Sequence, residues 1–260
     1  MAVDTVFEEA FKKFGDMFEK LKDAWDKICD GIEWVLDQWW IPGFIKDPVR
    51  SGYNTLKPKV HDALDRCAKF YQTPGDPSAI RTAGEGWTND VGGAANSQAS
   101  VLVKDQLETD NTWTGNAADR YNDAVLGQNK ALVGTKTLTD SLQSTLNEIA
   151  SAIATFWVSF GTAIATYVIA AGIAVAACCT GVGAAAGIPA FIIATGAFIT
   201  ASITFANNFN NSLEEKAGKL EQLVPTGAPF GSGGTWPSAA SDKMSDGSVK
   251  DGDGSDWTPK

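Results

Sequence analysis

The stretch IASAIATFWVSFGTAIATYVIAAGIAVAACCTGVGAAAGIPAFIIATGAFITASITFANNFNNSL, residues 149–213, decides how this chain is to be understood. Its 65 residues contain no Asp, Glu, Lys or Arg, although 20% of the 260-residue chain is charged. At that frequency the chance that any given window of 65 residues is free of charge is about 0.8 to the power 65, under roughly one in a million. An apolar environment shaped it. Within it, residues 156–178 supply 23 positions and residues 188–206 supply 19. As helices these are about 34 and 28 Å long, against a bilayer hydrocarbon core of about 30 Å. The Gly- and Ala-rich residues 180–187, with Pro189 just after, carry turn chemistry. Residues 151–206 are therefore expected to form a hydrophobic helical hairpin that returns the chain to the side it left.

The residues expected to make this membrane hairpin are Phe156, Trp157, Phe160, Gly161, Gly172, Gly183, Gly187, Pro189, Phe191, Phe198 and Phe205. Ala154, Gly161, Ala165, Gly172 and Ala176 line one face of the first helix, and Gly183 and Gly187 form a small-xxx-small pair, so two apolar helices can approach closely. The hydroxyls of Thr155, Ser159, Thr162, Thr166, Thr195, Thr200, Ser202 and Thr204 can bond back to their own helix and do not oppose insertion. The turn is uncharged, and charge is what keeps a loop from crossing a bilayer. Three readings stay open: a hairpin that inserts from one side after folding, as in helical pore-forming toxins, a resident pair of spans, or the buried core of a soluble helical protein.

Upstream, residues 1–41 read as an amphipathic helix. Thr5 and Glu8 have capping-box spacing. Apolar residues then fall at Phe7, Phe11, Phe14, Phe18, Leu21, Trp25, Ile28, Ile32, Val35 and Trp39, with gaps alternating four and three as in a coiled-coil seam. Phe7, Phe11, Phe14, Phe18, Trp25 and Trp39 are its candidate packing residues. The seam packs on the rest of the chain, lies on a membrane surface or docks on a partner. Pro42-Gly43 closes the helix. With Asp4, Glu8 and Glu9 where a basic region belongs, the opening residues do not read as a cleavable signal peptide. Residues 42–77 hold Pro42, Pro48, Pro58, Pro74 and Pro77, which predicts a connector with one short helix over about residues 59–71.

Residues 78–150 read as two helices. The first, 78–111, is rich in small residues such as Gly84, Gly92, Ala95 and Ala99, which let another helix lie close. The second begins at Ala117 and keeps four-three spacing into the charge-free run. Between them stands Thr112-Trp113-Thr114-Gly115-Asn116. A helix, a Trp-x-Gly turn and a helix opening on Ala117, Ala118 and Tyr121 resemble the WXG family of type VII secretion substrates, over residues 78–150. The tripeptide arises by chance about once in a chain of this composition, so its placement between two helix-length patterns carries the resemblance. The resemblance implies a helical hairpin that pairs with a second copy or another helical protein, Trp113, Gly115 and Tyr121 as the turn motif, and export by a non-Sec route. Two departures stand out. No tyrosine here has an acid four residues on, so the family's Tyr-x-x-x-Asp/Glu signal is missing. The family also has no standard counterpart of the hydrophobic hairpin.

Residues 207–224 read as a short amphipathic helix on Phe209, Leu213, Leu220 and Leu223. Residues 225–260, rich in Gly, Ser, Pro and Asp, read as a disordered tail. Asp251, Asp253 and Asp256 lack the glutamate and flanking helices of a calcium loop.

Composition narrows the chemistry. A net charge of −10 argues against nucleic-acid partners. One histidine, His61, and four separated or vicinal cysteines (Cys29, Cys67, Cys178 and Cys179) make catalytic triads and zinc sites improbable. No phosphate-binding glycine loop follows a strand pattern. The expectation is an all-α, non-enzymatic protein, an elongated helical bundle with no cofactor, no metal and no small-molecule substrate. Its partners are membrane lipid and a homo- or hetero-oligomeric helical chain. It is secreted or membrane-associated. The alternative function is a resident two-span protein, or a soluble bundle that binds a partner within a secretion system.

Overall fold

The computed structural model describes residues 3–107, 114–178, 184–223 and 229–237. About 90% of these residues are helical and none is in a strand, so the fold is all-α among the described residues. The helices are α1 (Val3–Asp37), α2 (Gly43–Gln72), α3 (Pro77–Gly86), α4 (Gly93–Val101), α5 (Asn116–Cys178) and α6 (Ala184–Gln222). They divide into two compact units, Met1–Ser78 with Ile149–Glu214, and Ala79–Glu148 with Glu215–Lys260.

In the first unit the heptad seam of α1 is the core. Phe14, Phe18, Leu21, Trp25, Ile28, Ile32 and Val35 are buried, while Phe7 and Phe11 are half-buried. The helix already begins at Val3, which puts Thr5 inside its first turn rather than at the cap. It ends at Asp37, earlier than expected. Pro42 bars helical geometry for the residue before it, and the chain turns over residues 38–41, where the Ile41 N–H donates to the Gln38 carbonyl at 3.3 Å. Trp39 therefore leaves the seam and stands 91% exposed.

The proline-rich connector is, against expectation, one 30-residue helix, α2, which runs through Pro48 and Pro58. Each interior proline costs about 3 kcal/mol. Burial of Val49, Tyr53, Val60, Ala63 and Cys67 along one face offsets that cost. Asn54, whose carbonyl Pro58 cannot bond, lies at an exposed position, where water can serve it.

α1 and residues 149–178 of α5 run one way, while α2 and residues 184–214 of α6 run the other. Ring contacts fix the register: Phe14 to Phe160 at 5.1 Å, Trp25 to Phe191 at 6.1 Å, and Phe70 to Phe156 at 5.4 Å. A Cβ on Gly161 would sit 3.7 Å from the Ala10 carbonyl oxygen. The small-residue position at Gly161 thus admits α1, not the other arm of the hairpin.

The second unit holds the glycine-rich helix. α3 continues through a π-helical stretch, Trp87–Gly92, into α4 without leaving right-handed helical backbone at Gly86 or Gly93. The wider π turns keep Gly84, Thr88 and Gly92 on the face that meets α5. A Cβ on Gly84 would lie 3.3 Å from the Gln143 Cα, and one on Gly92 would strike the Thr139 hydroxyl. Thr88 Oγ1 donates to the Thr139 carbonyl at 3.1 Å and Asn129 Nδ2 to the Ala99 carbonyl at 2.6 Å. The first helical arm of this hairpin pattern stops at Val101, ten residues short of expectation, and a 3₁₀ turn follows over Lys104–Gln106.

Two further expectations change. The short helix of 207–224 is the continuation of α6, which runs unbroken from Ala184 to Gln222 with Pro189 in its second turn. Residues 229–237, expected to be disordered, pack: Pro229 and Phe230 occupy the space above Gly134, Phe230 meets Trp236 at 6.2 Å, and the Gly231 N–H donates to the Thr235 carbonyl at 2.8 Å. Pro229 and Phe230 seat the segment over the glycine of α5, and Trp236 leans on Phe230. The rest of the expected tail, residues 238–260, lies outside the described residues.

Candidate functional site

The hairpin is built from residues 149–178 of α5 and 184–213 of α6. Both helices are long and apolar enough to cross a membrane. Its aromatic residues do not face outward. Phe156, Trp157, Phe160, Gly161, Phe191 and Phe198 are buried within the unit and Phe205 is half-buried. Trp157, only 1% exposed, sits at the centre: its Nε1 donates to the Pro74 carbonyl at 2.9 Å, and Phe11 and Phe14 meet it edge-on at 5.0 and 4.9 Å. The two arms are joined by a buried hydrogen bond of 2.8 Å between Tyr167 Oη and Thr195 Oγ1, which also donates to the Phe191 carbonyl. Tyr167 stacks on Phe198 at 4.7 Å.

Between residues 155 and 204 the described exposed positions are Thr155, Val158, Thr162, Thr166, Ile169, Gly172 and Ile173 on α5, and Pro189, Ala190, Ile193, Gly196, Ala197, Thr200, Ile203 and Thr204 on α6, with Asn207, Asn208, Asn210 and Asn211 exposed beyond them. A helix on the surface of a soluble protein normally turns charge outward. These faces have none. Four of their hydroxyls are satisfied within the helix: Thr162 to the Val158 carbonyl, Thr166 to Thr162, Thr200 to Gly196 and Thr204 to Thr200, all at 2.8–2.9 Å. A low-dielectric surrounding demands this arrangement of any exposed polar group.

Charge reappears where the run ends. Glu148, just before it, accepts from Lys216 at 2.8 Å and from Lys219 at 3.0 Å, and Lys216 also reaches Glu215 at 3.2 Å. Hydrogen bonds from Lys216 and Lys219 hold the Glu148 carboxyl below the ordinary range, and those from Glu148 and Glu215 hold Lys216 above its own. The two boundaries of the charge-free run are thereby tied to each other.

Between α2 and α6 lies a cleft of about 320 Å³, with Phe70, Phe160, Ile199 and Ile203 below and Arg66 and Lys69 at its rim. Ser202 Oγ is buried there without a hydrogen-bond partner. Cys67 borders the cleft, and burial pushes its thiol up to about 12. His61 is exposed on α2. Among the described residues, no three of His, Cys, Asp and Glu gather as a metal site.

Of the turn motif, Gly115 takes φ +107°, open to glycine and strained for other residues, directly before α5. Tyr121 is half-buried on α5. Trp113 lies outside the described residues, as do Gly183 and Cys179, while Gly187 falls in the first turn of α6. Sequence reasoning missed one group altogether. Trp34, Trp40 and Phe44 join Trp39 as exposed aromatics at the corner between α1 and α2. The available signal was the position of Trp34 and Trp40 off the heptad seam.

No protein-family model, curated protein or solved structure matches the chain.

Proposed function

We propose that this chain is a non-enzymatic, membrane-engaging helical protein whose effector element is the hairpin of residues 156–206. The observation that carries the proposal is the outward surface of that hairpin, free of charge and with four of its threonine hydroxyls already bonded to backbone. Such a surface can exchange water for lipid without losing hydrogen bonds. The aromatic face is held meanwhile by α1 and α2, so the packed form is the restrained state and insertion requires those helices to give way. Export through type VII secretion, pairing with another helical chain, and a WXG-like role for residues 78–150 belong to the same proposal. The positive φ of Gly115 and the close-packed pairing of α3 and α4 with α5 support it.

Sucrose-gradient flotation of detergent-free protein with liposomes tests the membrane step, and dye leakage tests insertion. Val182→Lys with Ala185→Asp should abolish leakage, because charge at the tip opposes its passage. Leakage that persists unchanged refutes tip-first insertion. Appearance in the medium of a host lacking the type VII ATPase refutes the export reading. A second reading, the hairpin as permanent core of a soluble partner-binding protein, is favoured by the burial of Trp157 and Phe160. It requires the protein to stay at the bottom of the gradient at neutral and acidic pH.

A further inference from the structure

The exposed apolar residues of the first unit are not scattered. Among the described residues, the large ones that are more than half exposed are Trp34, Trp39, Trp40 and Phe44, at 57–91%, and Ile169, Ile173 and Ile193, at 66–72%, whereas Tyr71, Val158 and Ile203 reach only 40–47%. Register places the first group at one end. Trp25 is level with Phe191, and a Cβ on Gly52 would meet the Ile192 side chain. At 1.5 Å per residue, Trp34 lies about 14 Å beyond Trp25, and Phe44 about 12 Å beyond Gly52, in the direction of Ala184. Ala184 itself lies about 10–12 Å beyond Phe191 and Ile192. The aromatic corner is therefore level with the first residue of α6 and the last of α5, the end at which the hairpin's arms are connected. Ile169 and Ile193 lie nine positions back from Cys178 and Ala184, about 14 Å along their helices.

We infer that this end is a bilayer-docking surface: the α1–α2 corner is an interfacial aromatic anchor that sets the hairpin tip-first on a zwitterionic lipid surface. The inference rests on the hairpin reading above and adds the face that makes first contact. Tryptophan prefers the headgroup level, where its ring is buried and its N–H stays hydrated. The exposed isoleucines lie within about half a hydrocarbon thickness of the corner. Nearby charge selects the lipid. Glu33, Asp37 and Asp47 outnumber Lys46 and Arg50 around the corner, so an anionic surface is disfavoured. No packing explains the aromatics, since Trp39 is 91% and Phe44 77% exposed.

The test is flotation of the full chain with phosphatidylcholine vesicles, in parallel with leakage. The protein forms compared are the wild type, a corner variant (Trp39→Ser, Trp40→Ser and Phe44→Ser) and the tip variant (Val182→Lys and Ala185→Asp). The corner variant should bind vesicles on the order of tenfold or more weakly, because it gives up most of the apolar area available at first contact. The tip variant should still bind and not leak. Equal binding by wild type and corner variant overturns the anchor and leaves the hairpin reading standing. Binding lost on corner substitution, but with no leakage from the wild type, upholds the anchor and overturns insertion. Wild type that does not float overturns both. Preference for phosphatidylserine vesicles overturns the choice of lipid. A wild-type dimer that the corner substitutions convert to monomer, with vesicle binding unchanged, makes the corner a self-association surface and overturns the anchor. Trp39→Ser alone guards against misfolding, because that side chain has almost no packing to lose, and it should weaken binding in the same direction.

Discussion

Replacing Trp157 with alanine removes the side chain at which α1, α5 and the α2–α3 link converge. The ring is 1% exposed and touches Phe11, Phe14 and Phe156, and its N–H serves the Pro74 carbonyl. Truncating a buried Trp costs about 3–5 kcal/mol. The orphaned carbonyl adds about 1 kcal/mol. The sum is a large part of the roughly 5–15 kcal/mol that holds a domain folded. Trp157→Phe keeps most of the ring and loses the hydrogen bond, so it should cost about 1–2 kcal/mol. Urea unfolding followed by far-UV circular dichroism measures both, and the transition of the first unit is the one expected to move. The alanine variant should also leak vesicles faster than wild type, because weaker packing by α1 and α2 frees the hairpin sooner. An unfolding free energy within about 0.5 kcal/mol of wild type for the alanine variant, the range of an unremarkable surface substitution, would refute the packed role. If Trp157 faced lipid instead, the same substitution would weaken vesicle binding and leave urea stability untouched.

Three further outcomes are expected. Gly92→Ala gains helix propensity but drives a methyl into the Thr139 hydroxyl, so it should destabilise the second unit by about 1–2 kcal/mol, with Thr139→Ala restoring stability in thermal melts. Burial raises the Cys67 thiol from its ordinary 9.0 to about 12, so the folded state holds a proton that the unfolded state has released. Stability from this group is therefore complete below pH 9 and falls between pH 9 and 12, by about 4 kcal/mol at the upper end, and Cys67→Val should remove that slope from urea titrations. The thiol should resist maleimide labelling at pH 8 until the protein is unfolded. Glu148 and Glu215 are held low by Lys216 and Lys219, so their stabilisation is present above the ordinary carboxyl value of 4.5 and disappears as pH falls through the lowered one. Glu148→Gln should flatten the acid limb of the melting temperature against pH. A limb that keeps its wild-type steepness would dissociate Glu148 from the pairing.

Much of the fold was legible along the chain because helix formation leaves local marks. The four-three spacing from Phe14 to Val35 named the buried face of α1 residue by residue, the charge-free run marked the hairpin helices, and the small residues from Gly84 to Ala99 announced a close helix crossing. Each is a periodic pattern that one element imposes on its own sequence. The failures came where a local rule met a distant partner. Pro48 and Pro58 argue against a helix by themselves, yet α2 passes through both because burial beside α1 outweighs the lost bonds. Pro229 and Phe230 lie in a segment whose composition reads as disordered, until a glycine on α5 offers them a seat. For the candidate site, composition alone marked two apolar, uncharged stretches of membrane-spanning length. Which of their faces is covered is a property of neighbours: Trp157 and Phe160 turn inward because α1 brings four phenylalanines to that side, and the threonine faces are left outside. Equally, nothing in Trp39-Trp40 says which end of the unit they occupy. That placement follows from the register of four packed helices, and the ring contacts that fix the register join residues 86 to 166 positions apart, which no local pattern encodes.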